Sequence, residues 1–183
     1  YMPPGEPEHT THYSIIDADG NMASVTKTVN LTLGSGFVVE GTGFVLNDEM
    51  DDFALLPGQA NAFGLVGGEA NAPKAGRRPL SSMTPSMVIG EDRVGVIGTP
   101  GGSRIITMVL EGILAFIDGD LPKKVVAYPR FHHQCLPDVV SAEPKMFSRE
   151  TIRALQAMGH IVNESERTWG LMNMVSWDRK TNT

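Results

Sequence analysis

Residues 10–30 read TTHYSIIDADGNMASVTKTVN, and the division of this stretch decides the fold. A β-rich run precedes Asp19-Gly20, and a second β-rich run follows it. Asp-Gly between two such runs signals a hairpin, because its backbone tolerates the positive φ that a tight turn requires. Thr10 would therefore open a strand. Before it, residues 1–9, YMPPGEPEH, hold three prolines and a glycine; they resist helix, show no alternation and read as a connector.

Beyond the hairpin, glycines 34, 36, 41 and 43 punctuate two short apolar runs, Phe37-Val38-Val39 and Phe44-Val45-Leu46, which read as short strands. Residues 51–82 are rich in Gly, Pro, Ala and Asn and sustain no period of 2 or 3.6. A loop of that length in a compact domain is usually functional or disordered, and covering a site would suit it. Residues 85–89 and 93–97 give a second hairpin pattern across Gly90-Glu91-Asp92. The period then changes: Ile105, Ile106, Val109, Leu110, Ile113, Leu114 and Ile117 recur at helical spacing, with Ser103 placed to cap and Gly119 to terminate. A short helix over 122–127 and a third one capped by Ser148 and closed by Gly159 follow. Residues 169–177 alternate loosely like a strand, with no later strand to return against it.

Strands, a long loop, strands, helices and a last strand describe two sheets flanked by helices, in one domain. The 183 residues are 41% hydrophobic and 20% charged, with a net charge of -6 and scattered basic residues, which argues against nucleic acid as a partner. No apolar run is long enough to cross a bilayer.

Much familiar chemistry is missing from the pattern. There is no HExxH, no cysteine pair, no phosphate-binding Gly-Lys-Ser/Thr segment and no Gly-x-Ser-x-Gly. His132-His133 would point to opposite faces of a strand, so metal chemistry is not expected, and nothing calls for a cofactor. Cys135 is the lone cysteine and reads as structural, buried or half-buried. Gly101-Gly102, directly before the long helix, has two readings: a tight turn fitting sheet to helix, or a pair of backbone amides facing developing negative charge. Thr10 has a weakly nucleophilic hydroxyl, and its own α-amine can serve as base only once the bond to His9 is cut.

Six segments in succession, TTHYSIIDADGNMASVT from 10, NDEMDDF from 47, GLVGGEAN from 64, RRPLSSMTPSMV from 77, GTPGGSRI from 98 and YPRFHHQ from 128, resemble the γ-glutamyltranspeptidases. The resemblance implies an α+β, four-layer αββα N-terminal-nucleophile hydrolase fold. It makes residues 1–9 the end of a large-subunit region and 10–183 the small catalytic subunit, shortened at its C-terminus. It further implies self-cleavage between His9 and Thr10, with Thr10 as nucleophile and Thr28 positioning its hydroxyl. Asn30, Glu49 and Asp52 would receive a donor's α-amino group, Ser81 and Ser82 its α-carboxylate, and Gly101 and Gly102 would form the oxyanion hole. A lid from 57 to 71 would carry Phe63. The implied activity is γ-glutamyl transfer and hydrolysis, with glutathione or a similar amide as donor and water, an amino acid or a peptide as acceptor. The implied partner is a large subunit from the same precursor, supplying an arginine for the donor carboxylate, in a periplasmic or secreted bacterial setting. The alternatives are a glutaryl or cephalosporin acylase of the same fold, and an unprocessed, inactive fragment.

Overall fold

The computed structural model describes residues 9–183; most of the connector expected over 1–9 lies outside the described residues. Strands β1 (Thr10–Ile16) and β2 (Met22–Thr28) form the expected antiparallel hairpin, in a register that sets Thr10 opposite Thr28. Asp17 ties the turn. Its carboxylate accepts from the Asp19 and Asn21 amides at 3.0 and 2.8 Å, and Gly20 takes φ 84°. The Asn21 side-chain amide, donating to the same carboxylate at 2.8 Å, and then those backbone bonds favour the charged form and hold the Asp17 carboxyl below its usual range.

A second sheet runs in the order β3 (Ser86–Ile89), β4 (Arg93–Gly98), β8 (Asn173–Asp178). The C-terminal strand, expected to lack a return strand, pairs antiparallel with β4 along its whole length, Arg93 opposite Asp178 and Gly98 opposite Asn173. β4 lies some 80 residues earlier in the chain, so this pairing does not show in the local pattern. The hairpin packs on this sheet. Its inward residue His12 lies against β4 so closely that a methyl group on Gly98 would fall 2.3 Å from the imidazole.

Helix α1 (Ile105–Ile117) covers the opposite face of the sheet. Ile105, Met108, Val109 and Phe116 are buried there with Ile97, Val125, Trp169 and Met172. Gly112 allows the close approach, since a side chain there would meet Ile97 at 2.7 Å. The expected Ser103 cap is not formed. Residues Gly102–Arg104 make a 3-10 turn, Arg104 occupies the capping position, and the Ser103 hydroxyl turns instead to Gln134. At the other end the helix stops as expected, with Gly119 at φ 104°.

Helix α2 spans Pro122–Val125, shorter than expected. Helix α3 (Arg149–Ala157) starts at Ser148, whose hydroxyl accepts from the Thr151 amide at 3.0 Å, and Gly159 leaves it at φ 98°. It forms the crossover of a third sheet: β5 (Phe131–His132) antiparallel to β6 (Val140–Ala142), and β6 parallel to β7 (Val162–Glu164). The Glu143 carboxylate beside β6, 1% exposed, accepts from the Arg130 and Trp169 amides. The Arg130 guanidinium donates to the Trp169 and Val126 carbonyls at 2.7 and 2.6 Å. This buried pair, 3.5 Å apart, pins four segments together.

Two expectations are corrected. The runs at 37–39 and 44–46 form only a bridge between Val38 and Val45; Phe37 and Phe44 are exposed, so no buried face exists to extend the pairing. Cys135 is exposed, in a left-handed conformation at φ 70°, so it does not pack as a structural core residue.

Candidate active site

One pocket gathers the residues that sequence reasoning scattered over ninety positions. Thr10, Thr28, Asn30, Glu49, Asp52, Phe63, Ser81, Ser82 and Gly102 all line it, joined by Met83, Ser103 and Ile105. Thr10 and Thr28 meet because hairpin register puts them opposite each other. The Thr10 hydroxyl donates to Thr28 Oγ1 at 3.0 Å, and Thr28 Oγ1 also accepts from the Asn30 amide at 2.8 Å. Asn30 takes φ 73°, a left-handed conformation that asparagine tolerates better than most residues, and its side-chain amide donates to the Asp48 carbonyl at 3.3 Å.

Glu49 and Asp52 belong to the 3-10 turn Glu49–Asp52 that opens the long loop. They share one wall of the pocket. Burial, then the Asp52 charge, raises the Glu49 carboxyl to about 7, and burial raises Asp52 as well. Glu49 Oε1 is buried with no hydrogen-bond partner among the described residues. Two neighbouring carboxyl groups are thus held where the charged form of each is disfavoured.

Gly101 and Gly102 both have positive φ, 144° and 59°, and lead into α1. Neither amide donates to another described residue. A side chain at Gly101 would strike Met108 at 2.3 Å, and one at Gly102 the Phe63 ring at 2.8 Å. Gly102 alone of the two lines the pocket; Gly101 sits behind it. The glycine pair thus serves as a tight turn fitting β4 to α1, and it brings Gly102 to the pocket that Thr10 also lines.

The loop over the pocket is anchored at Asp51, whose carboxylate accepts from the Ala62 amide at 3.1 Å, and by Asn61, whose side-chain oxygen accepts from Phe63 and Leu65 at 3.0 Å each. A second cavity of about 420 Å³ lies beneath it, lined by Leu55, Leu56, Leu65, Val66 and Ile106 and reaching Asp52 and Ser82.

His12, three residues from His9 and not expected to bind metal, lies on the same strand face as Thr10, and its structural role does not show in the sequence. It is 4% exposed, burial lowers its pKa, and its ring nitrogens meet Thr26 and Ser14 hydroxyls at 2.7 and 2.9 Å. It props the nucleophile strand against β4. His133 pairs with Asp138 at 2.8 Å, away from the pocket lining.

A strand-opening threonine on one of two face-to-face sheets, with a helix beyond, defines an N-terminal-nucleophile hydrolase of the α+β, αββα kind; the described residues supply hairpin, sheet and one helical layer. A cephalosporin acylase from Bacillus halodurans shares this fold, with a TM-score of 0.72 at 23% identity over 98% of this chain and 32% of its own. At that identity the likeness concerns architecture alone.

The chain belongs to the gamma-glutamyltranspeptidase family, whose model matches residues 2–183. It is 47% identical over 179 residues to a glutathione hydrolase proenzyme of Pseudomonas aeruginosa, covering 96% of this chain and 32% of that protein. A crystal structure of a mutant gamma-glutamyltranspeptidase from Helicobacter pylori superposes with a TM-score of 0.84 at 45% identity, covering 90% of this chain and 89% of the other. The chain therefore spans about a third of the length of the curated relatives it matches.

Proposed function

We propose that this chain supplies the nucleophile and most of the donor pocket of an enzyme that cleaves γ-glutamyl amides, glutathione among them, and passes the acyl group to water or an amine. The observation that carries this reading is the convergence of a threonine hydroxyl, two carboxyls whose pKa burial raises, a serine pair and the Gly102 turn around one pocket.

In the continuous chain the Thr10 nitrogen is an amide without basicity, and the Thr10 hydroxyl donates its proton in a hydrogen bond to Thr28 Oγ1. Cleavage between His9 and Thr10 would turn that nitrogen into an amine with a reference pKa of about 7.7 to 8.0, able to take the proton as the oxygen attacks the γ-carbonyl. The carbonyl oxygen, now negative, would be met by the Gly101 and Gly102 amides. Collapse expels the donor's amine, which leaves with the proton held on the Thr10 nitrogen, and a γ-glutamyl ester remains on Thr10. Water or a second amine then attacks the ester by the same route in reverse, restoring the hydroxyl.

Glu49, Asp52 and Asn30 would hold the donor's α-ammonium and the Ser81 and Ser82 hydroxyls its α-carboxylate. The carboxyl pair favours a glutamyl donor over a glutaryl one, whose methylene would leave two buried carboxylates facing no charge. The family's large subunit, with an arginine toward the donor carboxylate, fits the surfaces left open. Ile106, Leu110, Leu114 and Ile117 form an exposed apolar stripe on α1, and Tyr13 and Ile15 an exposed pair on β1. A helix apolar on every side is normally covered on every side.

The test compares turnover of γ-glutamyl-p-nitroanilide and glutaryl-p-nitroanilide by the full-length protein. At least a hundredfold preference for the γ-glutamyl compound is expected. Equal or reversed preference refutes the assignment.

A further inference from the structure

Gln134 lies outside the Thr10 pocket, yet its side chain ties the two walls of that pocket together. Its Nε2 donates to the Phe63 carbonyl at 3.2 Å and to the Leu136 carbonyl at 3.1 Å. Its Oε1 accepts from the Ser103 hydroxyl at 2.7 Å and meets His132 Nε2 at 2.8 Å. The two carbonyls fix which end of the amide is which, because a reversed amide would set oxygen against oxygen twice. Ser103 and His132 Nε2 must then both donate to Oε1.

His132 is itself held. It is 7% exposed, and its Nδ1 lies 2.8 Å from the Thr107 hydroxyl on the first turn of α1. The amide thus sits on a fixed base of α1, the glycine turn and β5, and reaches across to one main-chain atom of the loop. That atom belongs to Phe63, whose ring stands against Gly102 and lines the pocket. Gly64, next in the chain, has φ 75°, and a side chain there would come within 3.5 Å of Gln134 Nε2.

We propose that Gln134 is a positioning residue: it latches the loop at Phe63 against the Gly101-Gly102 turn, so that the ring closes the donor pocket while the amides keep their aim. This rests on the γ-glutamyl reading for its kinetic consequence, although the latch itself is a statement about the loop. Glutamate in its place keeps an acceptor for Ser103 and His132 but turns a carboxylate oxygen toward two carbonyls, which would release the loop without removing a catalytic group.

The experiment uses the full-length protein with Gln134→Glu, Phe63→Ala and the double variant. For Q134E the donor KM should rise about tenfold with kcat changed less than threefold, and chymotrypsin should cut after Phe63 or Leu65 about tenfold faster. In the F63A background the effect of Q134E on KM should shrink below twofold, since no ring remains to be misplaced. An unchanged KM and cutting rate overturns the latch, as does a defect that persists in full without the ring. Should Q134E fail to accumulate, Gln134→Met is expected to show the same split; failure of both to fold also overturns the proposal. A wild-type protein without γ-glutamyl turnover refutes the proposed function instead, and the chymotrypsin arm then judges the latch on its own.

Discussion

Replacing Glu49 with glutamine should change the steepness with which activity falls in acid. Burial and the neighbouring Asp52 charge raise the Glu49 carboxyl to about 7 in the empty pocket. A donor ammonium pairs with the ionised form, so below pH 7 each further unit should cost about tenfold in donor binding, until the proton is bound in both free and occupied states. The Thr10 amine, with its reference value of about 7.7 to 8.0, must also be unprotonated, so two groups titrate in the same window. Log kcat/KM of the wild type is therefore expected to approach a slope of two between pH 6.5 and 5.5, and that of E49Q a slope of one. At pH 8 the variant should be about tenfold lower in kcat/KM, the loss of one charged hydrogen-bond partner at a partly open site. The same shift acts oppositely on stability. A carboxyl raised in the folded state contributes stability below its unfolded value, and that contribution is lost as pH rises toward 7. The empty E49Q protein should consequently be more stable at pH 8 by about 1 kcal/mol, a figure already reduced for solvent screening. Initial rates with γ-glutamyl-p-nitroanilide across pH 5 to 9, with urea unfolding at pH 5 and 8, measure both. Parallel acid limbs for the two proteins would refute the reasoning.

Glu111, in the middle of α1, is raised to about 7 by burial and has one oxygen without a partner among the described residues. E111Q should therefore be more stable than wild type by about 1 to 2 kcal/mol at pH 8, and the difference should vanish by pH 4.5, as followed by denaturant midpoint. Gly102→Ala sets a methyl group 2.8 Å from the Phe63 ring on a backbone at φ 59°. It should lower kcat/KM at least a hundredfold by shifting the turn that aims the amides, while unfolding stays cooperative.

Much of this architecture can be read along the chain wherever a local rule and a tertiary demand agree. The hairpin at 10–28 has alternation, turn chemistry and register all pointing one way, and α3 carries its Ser148 cap and Gly159 exit in plain sight. The third sheet could not be read, because strands of two and three residues are too short to show a period and their pairing crosses α3. Ser103 misled for a different reason: it stands where a cap belongs, but the chain already turns as a 3-10 helix over Gly102–Arg104, and its hydroxyl donates to Gln134, thirty-one residues away. The pocket residues emerged from family segments, whereas Arg130 and Glu143 went unremarked, since nothing local tells that two distant charges will be buried against each other. Glu49 and Asp52 were named from the family segments, but only the fold shows that they sit together and that burial raises both carboxyls.

The reaction depends on a free amine at Thr10, so the decisive reading is the intact mass of the full-length protein and of its Thr10→Ala variant, before and after incubation at pH 7.5. Wild type should resolve into two chains, the smaller beginning at Thr10, while T10A stays whole and inactive. Cleavage of T10A at the same bond, or full turnover by an uncut wild type, would contradict a mechanism in which one threonine supplies both nucleophile and base.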